Sequence, residues 1–146
     1  MESKIYQIRI RASREKVWDC LWNDETYRKW TAVFSPGSRA ETDWQEGSHI
    51  YFLNGENQGM YAKIQKKKTP ELMTFKHLGI MDKNGKEELD TQIVEEWMGA
   101  YETYRLKPIP NGTLLEVEMH LGEDHLDFFD KTWPKALKIL KKLAEQ

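Results

Sequence analysis

Cysteine is nearly missing from this 146-residue chain: Cys20 stands alone. No intrachain disulfide can form, which suits a reducing compartment, so a cytoplasmic location is expected. A basic excess is missing too. Lys and Arg number 22 against 24 Asp and Glu, a net charge of −2. Nucleic-acid binders usually carry the opposite balance, so no nucleic-acid partner is expected. No stretch approaches the roughly 18 apolar residues of a membrane span. The opening Met1-Glu2-Ser3-Lys4 lacks the apolar run of a signal peptide. No membrane association is therefore expected, and the chain shows neither repeats nor low-complexity tracts.

Signatures of catalysis are equally scarce. There is no Gly-x-Ser-x-Gly elbow, no Gly-rich phosphate loop and no His-Glu-x-x-His run. Cys20 lies between Trp18 and Trp22 with no histidine nearby in sequence, the setting of a small core residue. His49, His77, His120 and His125 show no metal-ligand spacing. No metal and no cofactor is expected. Without a recognisable catalytic set, binding without turnover is the favoured reading.

What the chain does have is a core. Hydrophobic residues make up 39% and charged residues 32%, a globular profile. Its length fits one domain spanning 1–146. Residues 4–11 alternate with Tyr6, Ile8 and Ile10 on one face, the period of a half-buried strand. Ser13 then offers an N-cap, with Glu15 in the first turn. Val17, Trp18, Leu21 and Trp22 give a short amphipathic helix over 14–23. Asp24 is placed to cap a second helix carrying Tyr27, Trp30 and Phe34, closed by Ser35-Pro36-Gly37.

Strands follow at 39–44, 48–53, 59–68 and 71–78. Asn54-Gly55 signals a turn and Thr69-Pro70 a corner. Residues 91–98 and 101–107 read as one long strand interrupted by a bulge at Gly99. Residues 113–121 alternate strictly, with Leu115, Val117 and Met119 on the core face. A final helix near 124–144 is acidic at its start and lysine-rich at its end, which complements its dipole. Pro134 either marks its start or kinks it; the kinked helix is favoured. Its apolar face includes Leu137 and Leu140. One strand, two short helices, a run of strands and a long helix predict an α+β layer fold with an antiparallel sheet. A strongly curved sheet around one helix need not fill its interior.

Aromatics are the richest signal, with six Trp, six Tyr and five Phe. Most belong to the core, but the surplus suits an apolar pocket with a few polar groups. Trp30, Trp44, Phe75, Trp97, Phe129 and Trp133 are the candidate walls. Phe129 and Trp133 are four apart and share a helix face. His49, His77 and Glu96 are the candidate polar groups. An ordinary surface histidine remains the better reading for His77 alone. His120 belongs on the outer face. Adjacent Glu95 and Glu96 point to opposite faces of a strand and cannot both serve one acid–base site.

Five segments carry a family resemblance. They are Ile10-Arg11-Ala12-Ser13-Arg14-Glu15-Lys16-Val17-Trp18, Tyr27-Arg28-Lys29-Trp30, Asp43-Trp44-Gln45-Glu46-Gly47-Ser48, Pro70-Glu71-Leu72-Met73-Thr74-Phe75 and Gly112-Thr113-Leu114-Leu115-Glu116-Val117. Each is short, but their order resembles the SRPBCC superfamily, the START-like or helix-grip fold, over about residues 5–143. Within it the chain is similar to the bacterial branch related to the activator of heat-shock-protein ATPase. The resemblance implies a curved antiparallel sheet of six or seven strands wrapped around a C-terminal helix. It also implies a cavity for a small apolar or aromatic molecule. As alternatives it implies an enzyme of the polyketide cyclase or hydrolase kind, or a heat-shock chaperone as partner. Fold alone does not choose among these.

Overall fold

A computed structural model describes residues 2–81, 87–88 and 99–146 of the chain. Strand β1 (Glu2–Ile10) leads into helices α1 (Arg14–Trp22) and α2 (Asp24–Thr31). Strands β2 (Arg39–Glu41), β3 (His49–Leu53), β4 (Gly59–Lys68), β5 (Leu72–Met81), β6 (Glu87–Glu88), β7 (Tyr101–Ile109) and β8 (Gly112–Leu121) follow. Helix α3 (Glu123–Ala144) comes last. Seven strands run in the order β1-β8-β7-β5-β4-β3-β2, and the two-residue β6 pairs with β5. Every pairing is antiparallel. The sheet curls into a half-barrel around α3, the helix-grip architecture.

Local chemistry accounts for the elements. The Ser13 side chain accepts a hydrogen bond from the Lys16 N–H and caps α1. The cap of α2 is Asn23, whose Oδ1 accepts from the Glu25 N–H. Asp24, expected as the cap, is instead the first helical residue. An asparagine one position earlier was the better-placed acceptor. Helix α2 also stops at Thr31, so Phe34 sits in the following turn rather than on the helix. Strand β2 ends at Glu41, short of the expected 44, because Trp44 turns the chain with φ +61°.

Strand β4 shifts register against β5 at Tyr61/Ala62 and again at Ile64/Lys66. Such irregularities bend a strand and raise its twist, and here they help curl the sheet. The expected bulge at Gly99 is a different, glycine-led kind: Gly99 (φ +82°) donates its N–H to the His77 carbonyl and Ala100 accepts from the His77 N–H, so two residues oppose one just before the Tyr101–Lys76 pair. The proposed strand over 91–98 lies outside the described residues.

Helix α3 is one continuous element across Pro134, which excludes a start at that proline. The proline is exposed, so its ring stands on the water side of the helix. The opposite face buries Trp133, Ala136, Leu137 and Leu140. Leu115, Val117 and Met119 are buried on β8, and they meet the helix as the alternating pattern predicts.

Candidate functional site

The concave face is not fully packed. A cleft-like cavity of about 240 Å³ opens between α2, α3 and the sheet. Its walls are aromatic: Tyr27 and Trp30 from α2, Phe34 just beyond it, and Phe129 and Trp133 from α3. Edge-to-face contacts hold these rings. Tyr27 meets Trp30 at 5.4 Å between centroids, and Phe34 meets Trp133 at 4.9 Å. Such geometry is favourable between ring quadrupoles. The Trp30 indole N–H donates to the Leu21 carbonyl at 3.1 Å, which fixes the ring.

The outer end of the cavity is framed by two loops. Gly55 N–H donates to the Pro36 carbonyl at 3.1 Å. Gly37 has φ +76°, and a Cβ on it would lie 2.7 Å from the Gly55 backbone, so only glycine permits this approach. Arg39 Nη1 donates to the Asn54 carbonyl, Nη2 to Asn57 Oδ1, and Nε to Glu41. The Asn54–Gln58 segment is thus a clamped loop, longer than a two-residue turn. Phe128, about half exposed, lies at this same end.

The inner end is polar. Glu102 lines the cavity from β7 and is 8% exposed. Its Oε2 accepts a 2.5 Å hydrogen bond from the Tyr104 hydroxyl. Its Oε1 lies 3.1 Å from His77 Nε2. A carboxylate only accepts, so the pair requires the proton on Nε2. Burial pushes the Tyr104 hydroxyl well above its ordinary pKa, and the Glu102 charge and hydrogen bond push it further. Burial does the same to Tyr27, with Glu102 again adding to the shift. Both phenols therefore stay protonated at neutral pH, as donors.

The sequence candidates fall in several places. Trp30, Phe129 and Trp133 line the cavity. Trp44 and Phe75 lie behind its wall, packed on Trp22 at 5.4 and 5.5 Å. Phe75 is fully buried. His49 is exposed on the convex face, because β3 alternation turns Ile50 inward instead. His77 is not a surface histidine: it is 1% exposed and reaches the cavity through Glu102. His120 takes the outer face, where its Nδ1 accepts from the Tyr101 N–H. Trp97, Glu95 and Glu96 lie outside the described residues. Glu102 escaped the sequence reading. Its signal was a glutamate sharing alternate positions with Tyr104 and Leu106, on a face that is otherwise apolar. Among the described residues, no group of three or more His, Cys, Asp or Glu is arranged to hold a metal ion. Among them, too, no helix is long and apolar enough to cross a membrane.

Fold and site together define a helix-grip protein with an aromatic cavity closed at one end by buried polar groups. Residues 11–145 match the model of the family described as activator of Hsp90 ATPase homolog 1-like protein, and the chain belongs to that family. No curated protein matches it. Among solved structures, the Aha1 dimer from Colwellia psychrerythraea superposes with a TM-score of 0.73 at 23% identity, covering 99% of this chain and 97% of that one. CalU16 from Micromonospora echinospora gives 0.69 at 20%, covering 97% and 75%. The AHSA1-like protein from Aeromonas hydrophila gives 0.69 at 13%, covering 99% and 92%. At these identities the likeness concerns the fold.

Proposed function

We propose that this protein binds a small apolar or aromatic molecule in the cavity between the sheet and α3. The observation that carries the reading is the cavity itself: about 240 Å³ of space walled by rings. An apolar cavity of roughly 150 Å³ already binds benzene, so this one suits a body of about two fused rings. A ten-atom ligand gaining about 0.6 kcal/mol per heavy atom would bind with a Kd of tens of micromolar. Trp30 and Trp133 stand in the wall as built-in reporters. Titration with an environment-sensitive apolar dye and a panel of aromatic and fatty compounds is expected to change tryptophan fluorescence saturably, with mutual competition. A flat response with no competition would contradict the reading.

A second reading is acid–base chemistry on the bound molecule, of the polyketide cyclase or hydrolase kind. It is supported by the hydrogen-bonded chain of His77, Glu102 and Tyr104 at the inner end, because histidine and carboxylate are the usual proton carriers. Recovery of a chemically altered ligand would favour it over simple binding. A chaperone-partner role, as an activator of a heat-shock ATPase, is supported by kinship with the family alone.

A further inference from the structure

We infer that the cavity selects a neutral molecule bearing a hydroxyl group on an apolar body, and rejects apolar carboxylates. This rests on the cavity being a ligand site. A carboxylate offers about four acceptor positions. Glu102 uses one for Tyr104 and one for His77. Its side chain keeps 11% of its surface accessible and lines the cavity, so further acceptor capacity faces the space.

Tyr27 lines the same cavity. Among the described residues its hydroxyl has no hydrogen-bond partner, and the negative charge of Glu102 acts on it. The cavity lining therefore presents a partly used carboxylate and a phenol free to bond a ligand. A ligand hydroxyl answers both, donating to Glu102 and accepting from Tyr27. An ammonium is attracted by Glu102 but leaves the Tyr27 hydroxyl unanswered, and stripping its water costs about as much as the buried pair returns. A ligand carboxylate would bring a second negative charge beside Glu102 in a poorly solvated space, where like charges repel strongly. The cation among the lining residues is Arg39, at the far end, already held by Glu41, Asn54 and Asn57.

The test compares ligands that differ only in the head group: naphthalene, 2-naphthol, 2-naphthoate and 2-naphthylmethylammonium, titrated calorimetrically into the whole chain at neutral pH. Expected is 2-naphthol binding at least tenfold tighter than naphthalene and at least 100-fold tighter than 2-naphthoate. In Tyr27→Phe the naphthol advantage over naphthalene should shrink about fivefold. In Glu102→Gln the discrimination against 2-naphthoate should relax at least tenfold. Equal binding of naphthol and naphthoate, tightest binding of the ammonium, or a Tyr27→Phe variant with the naphthol preference intact would each overturn the inference and leave the cavity reading standing. Failure of all four compounds to bind would overturn the cavity reading, and the inference with it.

Discussion

Replacing Trp30 with alanine is expected to lower unfolding stability by about 3–5 kcal/mol. The residue is 1% exposed. Its ring packs on Tyr27 and lies 6.0 Å from Trp133. Its indole N–H satisfies the Leu21 carbonyl and ties α2 to α1. Truncation removes the buried surface and the donor together. It also merges the new void with the existing cavity, so the walls are poorly placed to collapse, and the cost of such a truncation grows with the volume left empty. Urea unfolding should show a lower midpoint with an unchanged slope. Trp30→Phe should fall between the two, since it keeps much of the ring but loses the hydrogen bond. A loss below about 1 kcal/mol for the alanine variant would mean the ring is not the buried wall described here.

The second large effect concerns His77 and Glu102. Removing one partner of a buried hydrogen bond to a charged group costs roughly 1.5–3 kcal/mol, because the other is left short of a partner. His77→Phe should fall near the low end, about 1.5 kcal/mol, since Glu102 keeps Tyr104 and faces the cavity. Changing both residues, His77→Phe with Glu102→Leu, in a Tyr104→Phe background where no buried hydroxyl loses its acceptor, should recover at least half of that loss. Replacing a whole buried pair by apolar groups is often neutral. A double-mutant cycle on denaturation free energies measures the coupling. If the double variant simply sums two losses, the two side chains do not stabilise the fold as a pair.

The legible parts of this fold were those governed by local periodicity. The alternation over 113–121 and the helical spacing of Trp133, Leu137 and Leu140 placed the buried face of β8 and α3. The Ser13 cap was readable because its acceptor needs only the next turn. The site was less legible because strand facing depends on register modulo two. For His49, a neighbour's burial decided the matter: Ile50 faces in, so His49 faces out. Trp44 was misplaced because a positive-φ turn, invisible to alternation, directs it onto Trp22. The link between His77 and Glu102 joins β5 to β7 across 25 positions of sequence. Only the register that pairs Phe75 with Glu102 brings them together.

The central claim is that a small apolar molecule enters the space between α2, α3 and the sheet. The most direct measurement is a ¹H–¹⁵N spectrum of the tryptophan indoles during titration with 2-naphthol. The wall residues Trp30 and Trp133 should move saturably, while Trp18, half-buried on α1 away from the cavity, stays in place. Indole resonances that all remain fixed, or movement of Trp18 with Trp30 and Trp133 unchanged, would contradict the account.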